Sequence, residues 1–161
     1  MSPTTANSTP SVAMPNPSPD WSATNPSFPS FQLHGIDDTP GPKAYFIQFQ
    51  ANQGKEHLLA SFLADINHGV NQEPGTGPWF ALRYSQYTFA IFEAFPNAQA
   101  RHAHDTGPGG QNFSRNEFLK DVLAQPAQIY RLDVMHGKFD TMFGDKMAPV
   151  EKWYVECAGI S

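Results

Sequence analysis

The feature that most limits how this chain can fold is a pair of β-type runs, "WFALRY" (79–84) and "YTFAIFEAF" (87–95), with only Ser85 and Gln86 between them. Two aromatic-rich, alternating runs this close in sequence pair as an antiparallel hairpin, because a parallel pair would need a crossover of about a dozen residues. A two- or four-residue turn predicts the same register, with Trp79 opposite Phe92, Ala81 opposite Ala90 and Arg83 opposite Thr88. One hairpin face then carries Trp79, Ala81, Arg83, Thr88, Ala90 and Phe92. The other carries Phe80, Leu82, Phe89 and Ile91 and reads as the dry side, and Glu93 falls on the face away from Arg83.

The flanks fix the rest. "KAYFIQFQA" alternates Tyr45, Ile47 and Phe49 with Phe46, Gln48 and Gln50, a period of two. From Lys55 to Val70 the apolar positions Leu58, Leu59, Phe62, Leu63, Ile66 and Val70 fall three and four apart, which makes one helical stripe. "GVNQEPGTGP" ends that helix. After Pro96, Asn97 is a natural N-cap for a short helix to about Thr106, "GPGG" (107–110) stops it, and a helix resumes over Ser114 to Leu123. "QPAQIYRLDVMH" supplies a last strand, on which Arg131 and Asp133 share a face and are expected to pair.

The order β-α-β-β-α-β predicts an α+β, ferredoxin-like domain, an antiparallel sheet with both helices on one face. The other face is apolar enough to be costly in water, so a homodimer that closes two sheets into a barrel is expected, with Gln48 and Gln50 joining the mixed hairpin face. Residues 43–139 form this domain. Residues 1–42 hold nine of the 15 prolines and read as a disordered arm in which Trp21, Phe28 and Phe31 are stray aromatics. Residues 140–161 form an extension, rich in aromatics, that packs on the domain or on the partner subunit.

A net charge of -5 with 10 Lys and Arg argues against nucleic acid, which needs a clustered basic face. No apolar run approaches the roughly 20 residues of a membrane span, and the start "MSPTTANSTP" has no signal-peptide character, so a cytoplasmic protein is expected. The single Cys157 excludes an intrachain disulfide and a thiolate-rich metal site. His102 and His104 lie about 200° apart around a helix, so they cannot share a ligand; His102 is expected in solvent, as are His57 and His68. "GPGG" reads as a mobile segment beside a cavity mouth.

The stretches "NQGKEHLLASFL", "EPGTGPWFALRY", "FAIFEAFPNAQARHAH" and "QPAQIYRLDVMHGKF" resemble the antibiotic biosynthesis monooxygenase family, dimeric α+β barrels, over about Lys43 to Phe139. The resemblance implies an oxygenase that needs no metal, haem or flavin, only molecular oxygen as co-substrate. Its substrate is an electron-rich aromatic (a quinol, anthrone or polyketide) that reduces oxygen once deprotonated. It implies His104 for proton transfer, Trp79 for stacking and Arg83 for offsetting the anion. Gln48 or Gln50 stands where some members place an Asn, and Ala81, Ala90 and Phe92 line the slot. Alternatives on the same fold are a haem binder with His104 as axial ligand, a non-oxidative lyase or cyclase, and a ligand-binding dimer without catalysis.

Overall fold

The alternation of "KAYFIQFQ" becomes the central strand, with Tyr45, Ile47 and Phe49 buried against helices. The computed structural model describes residues 22–24, 28–35 and 40–137; Trp21, most of the arm and the extension from residue 140 lie outside them. The elements are β1 (Ser22–Thr24), β2 (Phe31–His34), β3 (Lys43–Gln50), α1 (Glu56–Val70), β4 (Trp79–Arg83), β5 (Thr88–Phe95), α2 (Ala98–Asp105), a 3-10 turn (Gly110–Ser114), α3 (Asn116–Val122) and β6 (Ala127–Asp133).

From β3 onward this is the ferredoxin-like α+β fold. The sheet runs β1-β2-β6-β3-β5-β4, with β3 antiparallel to both β5 and β6. The stripe of α1 buries Leu59, Phe62, Leu63, Ile66 and Val70 on the sheet, each such side chain contributing roughly 1.5–3 kcal/mol. Phe49 and Phe62 meet edge to face at 6.3 Å, which ties helix to sheet. The expected second-half helix is shorter than Ser114–Leu123: the 3-10 turn takes Ser114, and α3 spans Asn116–Val122.

The hairpin register differs from expectation by one residue. Trp79 pairs with Glu93, Ala81 with Ile91 and Arg83 with Phe89. The cause is a three-residue connection, Ser85 to Tyr87, held by the Ser85 hydroxyl accepting from the amides of Tyr87 (3.3 Å) and Thr88 (2.9 Å). An odd loop shifts the pairing by one and turns every β4 side chain over. Trp79, Ala81 and Arg83 therefore share the helix-side face with Glu93, and Phe80 and Leu82 join Phe92 and Ala90 on the open face. Phe89 and Ile91 stay buried on the helix side, as expected.

The sheet also extends into the segment read as a disordered arm. β2 adds parallel to β6, with Phe31 beside Ala127 and Leu33 beside Ile129, and β1 pairs with β2. Phe31 is 2% exposed, stacked on Phe113 at 4.5 Å and edge-on to Phe49 at 6.3 Å. A proline-rich composition hid a short strand whose alternate side chains finish the core. Asp133 pairs with the fully buried Lys43 instead of Arg131, whose guanidinium donates to the Gly35 carbonyl at 2.8 Å. His57, His68 and His102 are exposed, as expected.

If β2 is part of the core, Phe31→Ala should lower the unfolding free energy by about 3 kcal/mol in urea titration. A loss under about 0.5 kcal/mol, the range of ordinary surface substitutions, would mean that the segment does not seal the core.

Candidate functional site

Three stretches far apart in sequence converge on one histidine. The chain leaves α1 and turns at once, the Glu73 amide donating to the Val70 carbonyl at 2.9 Å. This aims the Glu73 carboxylate at α2, where Oε2 lies 2.6 Å from His104 Nδ1. Glu73 also accepts from the Thr76 hydroxyl (2.8 Å) and, on Oε1, from the Gly109 amide (2.7 Å). From β5, Glu93 brings a carboxylate that is 1% exposed, with Oε1 3.3 Å from His104 Nε2, an ion pair without the alignment of a strong hydrogen bond. The side chain of Asn97 caps α2 by accepting from the Ala100 amide at 2.8 Å, and its spacing buries Ala100, Arg101 and His104 on one side.

The "GPGG" segment is pinned here and is not the free loop that its composition suggests. A Cβ on Gly69 would stand 2.6 Å from Pro108 and Gly109, so α1 and this turn touch backbone to backbone. That close approach requires glycine and brings the Gly109 amide to Glu73.

Burial opposes charge on His104, but the Glu93 charge and the Glu73 hydrogen bond outweigh it and push the imidazole pKa up to about 10. Burial likewise works against the Glu73 carboxylate, and its bond to His104 still holds it below the ordinary value. His104 is therefore an imidazolium at neutral pH. The histidine expected to transfer the proton is thus held toward its charged form between two carboxylates.

Beside this clamp lies a cavity of about 170 Å³ between the sheet, α2 and the 3-10 turn. Phe31, Leu33, Phe113 and Ile129 form its apolar walls, and Tyr45, His104 and Asp105 its polar end. The Tyr45 hydroxyl donates to both Asp105 carboxylate oxygens, each at 3.0 Å. Burial and the neighbouring Asp105 push the Tyr45 pKa far up, so it stays a donor. Asp105 is exposed as a residue, yet its carboxylate sits against protein, and this partial loss of water raises its pKa.

The other expected site residues are not gathered here. Trp79, Ala81 and Arg83 line a separate groove along α1 with Leu63 and Ala64. Arg83 donates to the carbonyls of Ser85 and Gln86, both at 3.0 Å, and lies over the Phe89 ring, so it braces the hairpin turn. Gln48, Gln50, Ala90 and Phe92 face the open side of the sheet. Glu73, Glu93, Tyr45 and Asp105 were missed as site residues, although "EPGT" and "FEAF" had singled out two of them. A haem does not fit: both His104 nitrogens face carboxylates, and the cavity is far smaller than a tetrapyrrole. Among the described residues, no helix is long and apolar enough to cross a membrane.

No protein-family model matches the sequence, and no curated protein resembles it significantly. Solved structures do. A protein of unknown function from Nitrosomonas europaea is 32% identical, with a TM-score of 0.56 over 63% of this chain and 96% of its own. A Mycobacterium tuberculosis protein is 16% identical, with a TM-score of 0.54 over 60% and 97%. A candidate antibiotic biosynthesis monooxygenase from Caulobacter crescentus is 15% identical, with a TM-score of 0.53 over 60% and 92%. The last two share the fold.

Because the folded-state pKa of His104 lies above its ordinary 6.5, the clamp stabilises fully below that value and loses its effect as pH rises through about 10. His104→Gln should cost about 3–5 kcal/mol near pH 7, by taking the cation from between two carboxylates. The Tm gap between the two proteins should shrink from pH 7 to 10 in calorimetry. A gap independent of pH would contradict the imidazolium.

Proposed function

The chain belongs to the same family as the Nitrosomonas europaea protein and carries the fold of the antibiotic biosynthesis monooxygenases, and from that premise we propose that it is a cofactor-independent monooxygenase of a small, electron-rich phenol. The observation that carries this reading is the cavity itself, an apolar slot whose polar end offers a carboxylate, a phenolic donor and an adjacent cation.

In this reading the ring lies against Phe31 and Phe113 with its hydroxyl at the polar end. Asp105, whose raised pKa suits proton transfer, takes the phenol proton. Tyr45 donates to the resulting oxyanion, and the His104 imidazolium stabilises it electrostatically. The phenolate then supplies electrons to dioxygen at its unsubstituted para carbon. One phenol and one dioxygen give one para-quinone and one water: one oxygen atom becomes the new carbonyl, and the other leaves with the two displaced hydrogens. Trp79, Arg83, Gln48 and Gln50 take no part.

A second copy of the chain covers the open face. Leu82 and Leu132 are 42% and 41% exposed there, beside the half-buried Phe46, Phe80, Phe92 and Tyr130. Water against such a face is costly, and the two-fold pairing of identical sheets removes it from both copies.

A second reading, a ligand-binding dimer without turnover, is favoured by the engagement of both His104 nitrogens within the protein. Oxygen-electrode assays with phenol separate the two: turnover is expected, and Asp105→Asn should lower kcat about 100-fold. Phenol binding without oxygen uptake selects the second reading. By light scattering the native chain should have twice the chain mass, and Phe92→Arg should halve it. A native mass of one chain contradicts the covered face.

A further inference from the structure

We infer that β2, the strand ahead of the β-α-β-β-α-β domain, limits the cavity to ligands with a single aromatic ring. This rests on the reading of that cavity as the substrate site. Three of its walls, Phe28, Phe31 and Leu33, come from this segment. The structural relatives are matched almost end to end by about 60% of this chain, so more than a third of it has no counterpart in them. β2 lies ahead of the stretch of sequence resemblance, which begins at Lys43.

The segment is a fixed wall. Its parallel register on β6 sends Phe31 and Leu33 to the helix side and Gln32 and His34 to the open side. On the open side, His34 Nε2 lies 2.6 Å from the Gln128 side-chain oxygen, and its ring stacks on Tyr130 at 4.8 Å. On the helix side, Phe31 is wedged between Phe49 and Phe113. Both faces of one short strand are thus anchored, so the cavity cannot grow by moving it.

The size follows. A volume of about 170 Å³ is close to that of an apolar cavity known to take one benzene molecule, on the order of 150 Å³. Fused two- and three-ring phenols exceed this volume and have to extend past the Phe28 and Leu33 walls. At the polar end the Tyr45 hydroxyl and the Asp105 carboxylate are the groups that a ligand hydroxyl would meet. The ligand class is a monocyclic phenol with small substituents, not an anthrone.

The test is calorimetric titration of the full chain with phenol, 1-naphthol and 2-anthrol, which carry the same hydroxyl on one, two and three rings. Phenol should bind at least about tenfold more tightly than naphthol, and anthrol should not bind. Leu33→Ala and Phe28→Ala, both at partly buried wall positions, should each reduce the preference for phenol over naphthol about tenfold. Equal binding of all three ligands, or a ring-size preference unchanged in both variants, overturns the inference about β2 alone. No binding of phenol to the native chain overturns the substrate site as well.

Discussion

A histidine held between a buried and a partly buried carboxylate organises this molecule. Glu73 closes the turn after α1, Glu93 lies on the inner face of β5, and His104 sits on α2, so one charged contact joins three elements that sequence separates. Burying such groups costs several kcal/mol per ion unless each finds its partner. With the partners in place, only one orientation of α2 satisfies all three, and the Gly109 amide fixes the following turn on the same carboxylate. The cavity exists because α2 is held there: Asp105, the next residue, faces Tyr45 across its polar end.

The clamp changes what His104 does. An unperturbed imidazole is the usual choice for moving protons near neutral pH. Here two carboxylates favour its charged form, and in the proposed reaction proton transfer falls to Asp105, a carboxylate that has lost part of its water. The dry inner face and the greasy outer face divide the work. The inner one shapes a small slot; the outer one, where Phe80, Leu82 and Phe92 gather, has the character of a surface to be covered.

Much of the fold was legible because periodicity is local. The stripe of α1, the alternation of β3 and the Asn97 cap each depend on residues within one element. The errors are equally physical. Whether the β4–β5 connection holds two, three or four residues decides which way Trp79 and Arg83 point, and only the Ser85 hydroxyl on two amides settles it. A count of apolar residues cannot show that. The strand Phe31–His34 was lost in a proline-rich stretch because its stability comes from β6 and Phe113, not from its own composition. The two glutamates stood in the motifs that marked the family resemblance, but nothing local says that Glu73 and Glu93 meet the same imidazole.

The most direct measurement is nitrogen-15 NMR of the His104 side chain at pH 8. The account expects both ring nitrogens to be protonated, with the shifts of an imidazolium that donates to Glu73 and faces the Glu93 charge. A neutral ring, with one protonated and one bare nitrogen at that pH, would contradict the clamp and the arrangement of the site built on it.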